Sequence, residues 1–497
     1  MIVKRKLSLL LALVLLLTVF TSACGKKEEP ADVVEEETEA VDEPEEEALD
    51  EPSEPMGQVT IGNSTELSGD WIPYWTNLAS DYDIYNFITG YGTVETTFEG
   101  EFVINETAVE NLETTENEDG SKTYTWTIKD GLTYDDGTPI TAYDYVASVM
   151  LWSSPVVGEM GAENTYGYYL KGWSEFAKGE SKIFTGVNLI DEKTFAVTVS
   201  EEYVPYFYEL DAASATPTKL DYWLDEEVEI LDDGEGCYFS DNFTTENYQA
   251  KIEEARFGIY PSSGPYVLES YDESTKTAVL KVNDKFLGNY EGRKPLIETV
   301  IYKKITNETA IDELSTGGVD ILFGINEGDV INAGLDLVDK GGFDYHDYPR
   351  SGYGKLVFSC DFGPTESEKV RQAIAHLLDR NDFAKAFTGG FGSVVNGPYG
   401  EAMWFYQETK SELNEKLDQY PYSLEKAIEL LEEDGWVYDE NGNEYTEGIR
   451  YKKTEDGELM PLVIEWASSE NNAVSDLLVV KLQENPDVAA AGMKINQ

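Results

Sequence analysis

Histidine, cysteine and positive charge are all scarce in this chain. Its 497 residues include 2 histidines and 3 cysteines, and 36 Lys and Arg stand against 97 Asp and Glu. So few histidines argue against a histidine-rich metal site and leave little material for histidine-based acid–base catalysis. The net charge of −61 argues against a protein that binds nucleic acid or an anionic membrane surface, since both are negatively charged themselves.

The short motifs of common hydrolases and nucleotide-binding proteins are also missing. The sequence has no G-x-S-x-G elbow, no H-E-x-x-H helix and no P-loop. His346 and His376 have no ligand partner at metal-site spacing, so we expect each to be structural or to face solvent. The run 439–443 is similar to a calcium loop, but its glycine comes too early, and we predict a hairpin turn. We expect no catalysis, no cofactor and no metal, while a carboxylate pair of a secreted glycosidase stays open as an alternative.

The N-terminus has the layout of a bacterial export signal. Basic residues at positions 4–6 precede a mostly apolar run over 7–20, which is shorter than the roughly 20 residues of a membrane-spanning helix. Thr21-Ser22-Ala23-Cys24 then resembles a lipobox, with threonine where leucine is usual. We predict a signal peptide over 1–23 and a lipid on Cys24 that holds the protein at the outer face of the cell membrane. An ordinary secretory signal is the alternative.

A strongly acidic segment follows the cysteine. Residues 28–55 contain 15 acidic residues and 4 prolines but no aromatic side chain, so they cannot bury enough apolar surface to fold. We interpret residues 24–57 as the lipidated cysteine and a disordered, self-repelling tether, with a partner-binding acidic tail as the alternative. Since most of the acidic residues lie elsewhere, the folded part is itself acidic, which favours solubility in an exposed medium.

The two other cysteines leave a choice open. If Cys24 carries a lipid, only Cys237 and Cys360 remain. They could form one disulfide after export or stay free, and their spacing does not decide between these outcomes.

Strand and helix patterns alternate through the rest of the chain. Period-two alternation over 58–62, 123–128, 194–199 and 277–282 predicts strands. Helical stretches lie between them, at 142–152 and at 370–378, the latter with an apolar face made of Val370, Ala373, Ile374 and Leu377. The mixture predicts an α/β architecture with several sheets, and the length predicts two or three lobes.

Four segments, taken together, resemble the signature stretches of the family 5 solute-binding proteins, the oligopeptide- and dipeptide-binding receptors of bacterial ABC importers. Residues 124–146 (YTWTIKDGLTYDDGTPITAYDYV) form the first, with a turn at Asp136-Gly137 and a helix capped by Thr141. The others are 263–268 (SGPYVL) with the strand and crossover to 290, 369–380 (KVRQAIAHLLDR) and 424–436 (LEKAIELLEEDGW).

The resemblance implies a two-lobed, periplasmic-binding-protein-like α/β fold of class II, in its large form with an extra inserted domain. On that pattern the solute-binding domain is 58–497. Lobe one takes residues 58–95 and 204–304, the inserted domain 96–203, and lobe two 305–497. The end of the chain is similar to a strand inside lobe two, so we expect a C-terminal truncation that removes the return to lobe one.

The same resemblance implies a function. The protein would be the extracytoplasmic, monomeric receptor of an ABC importer that captures a peptide or similar small solute and delivers it to the permease with its ATPase subunits. Aromatic side chains wall such clefts, and the candidate ligand-binding residues are Tyr74, Trp75, Tyr399 and Trp404. Packing in a lobe core is the alternative for each of them. A peptide-signal sensor and a secreted glycan or peptide hydrolase remain alternative functions.

Overall fold

The computed structural model describes residues 54–98, 100–206, 208–348, 352–468 and 472–497. The predicted signal peptide 1–23, Cys24 and most of the predicted tether 24–57 lie outside these residues. Within the described ranges, no helix has the length and apolar character needed to cross a bilayer.

The described chain contains both strands and helices, in an α/β mixture as predicted. The strands are β1 (Met56–Asn63), β2 (Val94–Thr96), β3 (Phe102–Ile104), β4 (Val109–Glu116), β5 (Lys122–Ile128), β6 (Val187–Leu189), β7 (Thr194–Val199), β8 (Ile230–Asp232), β9 (Cys237–Phe239), β10 (Tyr266–Asp272), β11 (Thr277–Val282), β12 (Ile297–Lys304), β13 (Ile321–Leu322), β14 (Tyr451–Lys453), β15 (Leu459–Pro461), β16 (Val463–Glu465) and β17 (Lys494–Asn496). The α-helices are α1 (Ala79–Ile88), α2 (Ala142–Trp152), α3 (Pro155–Glu159), α4 (Trp173–Ala177), α5 (Glu209–Ala212), α6 (Leu220–Trp223), α7 (Thr245–Arg256), α8 (Ala310–Ser315), α9 (Gly328–Lys340), α10 (Glu368–Leu377), α11 (Arg380–Thr388), α12 (Trp404–Lys416), α13 (Leu424–Glu433), α14 (Ala473–Leu478) and α15 (Pro486–Ala490).

The residues predicted as lobe one contribute four strands to a five-stranded sheet in the order β10-β11-β12-β1-β13, which we call the lobe-one sheet; β13 joins it from beyond the predicted boundary. The first strand, β1, lies parallel to both β12 and β13, whereas β10, β11 and β12 are joined antiparallel. Because β13 pairs with β1, this sheet continues to Leu322; the lobe boundary near residue 305 stays a prediction. Helix α1 contributes to a core that contains Leu67, Trp71, Ile84, Ile88, Tyr266, Leu268, Ala278, Leu280, Val300 and Tyr302.

The residues predicted as the inserted domain contain a second sheet, in the order β4-β5-β7-β6. Strand β5 buries Tyr124, Trp126 and Ile128 and leaves the side chains between them half-buried, which is the predicted period-two alternation. Helix α2 packs into the same core, and so do α6 and α7 from the predicted lobe-one residues 204–304. These parts of the chain therefore share one hydrophobic core.

Lobe two has a separate core between α10 and α13. The predicted apolar face of α10 is confirmed, since Val370, Ala373, Ile374 and Leu377 are all buried.

Arg450 ties this core to the end of the described chain. It is only 4% exposed, and it donates hydrogen bonds to the carbonyls of Ala491 (3.0 Å) and Trp436 (2.9 Å). Its guanidinium also pairs with Glu432 at 3.0 Å. A buried guanidinium needs several acceptors at once, and this one finds them at and just after the end of α13 (Glu432 and Trp436) and at Ala491.

The predicted helix cap is present. Helix α2 begins after Thr141, whose side chain and backbone amide both bond to the Asp144 carboxylate at the third helical position, as in a capping box.

Cys237 and Cys360 are both free thiols, the first buried and the second exposed. Burial is the main cause that raises the pKa of the Cys237 thiol, and the neighbouring Asp232 carboxylate raises it further. The choice that the sequence left open is therefore resolved toward unpaired cysteines in this structure.

The lobe-two core provides a stability test. Leu431 on α13 is fully buried, so Leu431→Ala should lower the free energy of unfolding by about 3 kcal/mol through lost burial and a residual cavity. Lys426→Ala on the same helix removes only a surface ion pair with Glu429 and should cost less than about 1 kcal/mol. Urea unfolding followed by tryptophan fluorescence, to which the buried Trp436 contributes, would measure both losses, and equal losses would contradict this account of the core.

Candidate functional site

The carboxyl ends of three parallel strands meet at one edge of the lobe-one sheet. Asn63 ends β1, Lys304 ends β12 opposite it, and Leu322 ends β13 on the other side. In open α/β sheets, ligands bind in the crevice outside the carboxyl ends of the strands. This edge is therefore the candidate site on lobe one.

A hydrogen-bonded chain of two buried side chains and one half-buried side chain organises this edge. Asn63, 6% exposed, donates from Nδ2 to the Tyr302 hydroxyl at 2.6 Å, and that hydroxyl donates to Asp83 Oδ2 at 2.6 Å. Burial raises the pKa of Asp83, while the bond from Tyr302 opposes the rise. Asn63 Oδ1 also accepts from the Thr65 amide at 2.7 Å, so the chain leaves β1 in a fixed turn.

The loop between β1 and α1 is also held by a fully buried carboxylate. Asp81, on α1, accepts hydrogen bonds from the Ser68 amide (2.9 Å), the Ser68 hydroxyl (2.7 Å) and the Thr76 hydroxyl (2.6 Å). Ser68 and Thr76 both lie in the loop over residues 64–78, and Tyr74 and Trp75 lie between them in the chain. By bonding to both ends of this stretch, Asp81 helps to fix the positions of the two candidates.

An ion pair holds the same loop from the other side. Asp70, 5% exposed, pairs with Arg256 from the end of α7. The Arg256 guanidinium lies 4.3 Å from the centre of the Trp75 ring, which is a cation–π contact.

Tyr74 and Trp75 pack against Trp152, which lies among the residues predicted as the inserted domain. The Tyr74 ring stacks on Trp152 with centroids 5.3 Å apart, and Trp75 meets the same Trp152 edge-on at 5.6 Å. Burial raises the pKa of Tyr74 well above its usual value. Their role as ligand-binding residues stays a prediction, and packing against Trp152 is the contact that this structure describes.

The candidates Tyr399 and Trp404 lie in lobe two, at the start of α12. Tyr399 is buried, and its ring stacks on Tyr406 at 5.0 Å and meets Phe405 edge-on at 5.9 Å. Trp404 is the first residue of the helix and is half-buried. Tyr399 thus belongs to a different aromatic cluster from Tyr74 and Trp75, and a ligand role for Tyr399 and Trp404 also stays a prediction.

Sequence reasoning missed a set of exposed aromatic side chains beyond the carboxyl end of β13. Phe323 directly follows that strand and stacks on Tyr348 with centroids 6.4 Å apart, and Tyr345 meets Phe391 edge-on at 6.3 Å. All four are more than a third exposed. The position of Phe323 next to a short apolar strand was the only signal for this group in the sequence.

Both histidines, and the run 439–443, lie as the sequence predicts. His376 is buried, with Nδ1 2.6 Å from the Pro421 carbonyl, and His346 is exposed. Asp439 Oδ1 accepts from the amides of Asn441 and Asn443, which confirms the hairpin turn. Across the described ranges, no cluster of three or more His, Cys, Asp and Glu side chains could hold a metal ion.

Comparison with known families gives a match over most of the folded chain. A family model described as "Bacterial extracellular solute-binding proteins, family 5 Middle" matches residues 107–485. This is the family that the four sequence segments resemble.

Curated relatives align over a large part of the chain. The oligopeptide-binding protein OppA of Bacillus subtilis (strain 168) is 25% identical over 307 residues, which are 60% of this chain and 50% of that protein. The probable D,D-dipeptide-binding periplasmic protein DdpA of Escherichia coli (strain K12) is 27% identical over 301 residues, 60% of this chain and 48% of that one. The aligned part thus spans about half the length of these relatives.

Solved structures confirm the two-lobed α/β fold. Lactococcal OppA, complexed with an endogenous peptide in the closed conformation, superposes with a TM-score of 0.63 at 18% identity, covering 89% of this chain and 76% of that one. NikA from Brucella suis, in complex with Fe(III)-EDTA, gives a TM-score of 0.60 at 15% identity and covers 89% and 74%.

Removing the cation of the Asp70–Arg256 pair tests how much this ion pair contributes to the stability of the protein. Arg256→Gln should leave Asp70 buried without its cation and lower the free energy of unfolding by about 3 kcal/mol. The matched control is Arg293→Gln, because Arg293 is 76% exposed and pairs with Glu291 only at the surface; it should change stability by less than about 0.5 kcal/mol. Chemical unfolding curves of the two variants would measure the loss of unfolding free energy in each. A similar loss in both would show that the Asp70–Arg256 pair does not anchor the loop.

Proposed function

Because the chain belongs to the family 5 bacterial extracellular solute-binding proteins, we propose that it is the receptor of an ABC importer that captures a peptide or similar small solute between its two lobes. The family match over residues 107–485 is the observation that carries this proposal. A peptide is the preferred ligand because the two curated relatives are named as oligopeptide- and dipeptide-binding proteins.

Binding would work through closure of the lobes. A receptor that accepts many peptides must hold the peptide backbone, typically as an added strand, and must leave hydrated space for diverse side chains. The carboxyl edge of β1, β12 and β13 supplies the lobe-one wall. Tyr74, Trp75, Tyr399 and Trp404 are the candidate aromatic contacts, and Phe323 and Tyr348 are added to them by their exposure beside β13.

The ligand would shift an equilibrium between open and closed lobes. It can do so because some of its contacts form only when both lobes meet it. The closed form is then the one that the membrane permease, with its ATPase subunits, recognises. The receptor itself acts as a monomer and carries out no chemistry on the ligand.

The proposal includes a membrane anchor. The signal peptide 1–23 would be removed, Cys24 would carry the lipid, and residues 24–57 would form the acidic tether to the folded part. Support comes from the order of charged, apolar and small residues before Cys24. A receptor held in this way stays close to its permease on the outer side of the membrane.

Ligand binding should make the intact protein more compact. Small-angle X-ray scattering with and without a saturating pool of tripeptides to hexapeptides would show a smaller radius of gyration if the lobes close. Mass spectrometry of molecules released on unfolding would identify any ligand that co-purifies. Intact peptide favours the receptor and cleaved peptide favours a hydrolase, while unchanged dimensions at saturation would contradict lobe closure.

Replacing the proposed lipid-bearing cysteine tests the anchor. Cys24→Ala should leave the signal uncleaved or release the protein into the medium, because the thiol that accepts the lipid is gone. Cys360→Ala is the matched control, since it removes an exposed thiol from lobe two and should leave processing unchanged. Fractionation of cells and gel mobility measure both variants, and normal processing with an unaltered membrane fraction for Cys24→Ala would refute the lipid.

A further inference from the structure

The hairpin formed by β2 and β3 touches lobe two through its backbone. Its turn is closed by hydrogen bonds from the Thr97 amide to the Glu101 carbonyl (2.8 Å) and from the Gly100 amide to the Thr97 carbonyl (3.0 Å). Gly100 has φ +80°, and a Cβ atom there would lie 2.6 Å from the carbonyl oxygen of Ala402. Only glycine allows both this conformation and this approach of two backbones.

A row of aromatic rings crosses the same contact. Phe102 meets Tyr208 at 5.5 Å, Tyr208 meets Phe405 at 6.4 Å, and Phe405 meets Tyr399 at 5.9 Å between ring centres. All three pairs are edge-on, with interplanar angles of 77° to 85°, which is a favourable arrangement for aromatic rings. The row therefore joins the hairpin to lobe two without a break.

Both sides of this contact are firmly held. Glu209 follows Tyr208 and pairs with Lys122 on β5 at 2.5 Å, and it also accepts from the Tyr124 hydroxyl. Burial favours a higher pKa for Glu209, but the bonds from these two residues outweigh it and the pKa is lowered. On the lobe-two side, Tyr399 and Tyr406 are buried in a stacked pair.

We propose that this contact is a latch that holds lobe two against the inserted-domain hairpin, with Gly100, Tyr208 and Phe405 as positioning residues for ligand capture. The inference rests on the proposed function, since it concerns the closure of the same cleft. The three positioning residues stabilise the closed arrangement without themselves contacting the ligand, whereas Tyr399, at the end of the row, is also one of the candidate ligand contacts. Apparent affinity scales with the fraction of protein in the binding-competent form, so loss of the latch weakens binding.

Two glycine substitutions distinguish loss of the latch from the backbone strain that any side chain causes at positive φ. Gly100→Val places a side chain against Ala402 and forces the two backbones apart. Gly131→Val is the matched control, because Gly131 has φ +91° and a Cβ atom there would meet nothing within 4 Å. Both variants carry the cost of a side chain at positive φ, but only the first disturbs the contact with lobe two. Tyr208→Leu and Phe405→Leu test the ring row while keeping apolar bulk.

The distance between the lobes is the first measurement, and it needs no ligand. In the full chain with Cys24→Ala, fluorescent labels go on Cys360, which is exposed, and on Lys182→Cys, whose native side chain is 81% exposed; Cys237 is buried. Energy transfer should report longer and broader inter-lobe distances for Gly100→Val and for the two leucine variants. Distances for Gly131→Val should equal those of the parent chain.

Affinity is the second measurement. Binding of the tripeptide-to-hexapeptide pool should weaken by about tenfold in Gly100→Val and stay within about twofold of the parent in Gly131→Val. Unchanged inter-lobe distances in a folded Gly100→Val protein would overturn the latch, and so would longer distances with unchanged affinity. If the parent chain binds no peptide, the proposed function fails, while the ligand-free distances still decide whether the latch exists.

Discussion

The parallel pairing of β1 with β12 is the interaction on which the rest of lobe one depends. Met56 lies opposite Ile297 and Asn63 opposite Lys304, so a strand at the start of the fold is held by one more than 230 residues later. Everything between them, including the whole inserted domain, forms a loop closed by this ladder. The pairing also brings three carboxyl strand ends to one edge, where the Asn63–Tyr302–Asp83 chain and the candidate cleft are found.

Several of the few Lys and Arg side chains of this acidic protein form ion pairs between segments that are distant in sequence. With 36 Lys and Arg against 97 Asp and Glu, most carboxylates must face water. Several of the cations instead join segments that are distant in sequence: Arg256 with Asp70, Lys122 with Glu209, and Arg450 with Glu432 and two carbonyls. The side chains of Asp70 and Glu209 are 7% and 12% exposed, so these pairs give largely buried carboxylates the cations they need, whereas in the third pair the guanidinium of Arg450 is the buried partner.

Local sequence patterns predicted several helices, strands and turns, but they did not predict which of these elements would pack or pair with one another. The helix over 142–152 with its Thr141 cap, the apolar face of α10 and the turn at Asp439 follow from short-range periodicity and turn chemistry. The partners of β1 could not be predicted, because a parallel strand carries no local sign of its neighbour. For the same reason Tyr74 and Trp75 were proposed as ligand contacts, although Trp152 and Arg256, both far along the chain, lie against them.

The direction of β1 has a mechanical consequence. The strand begins at Met56 and is hydrogen-bonded along its length to β12 and, near its carboxyl end, to β13 as well. A force applied at its amino end and directed out of the sheet along the strand axis would load β1 in shear, so that its ladder bonds share the force, whereas a hairpin pulled from its open end breaks its bonds one at a time. The β1 ladder is therefore placed to resist a pull on the amino end of the described fold.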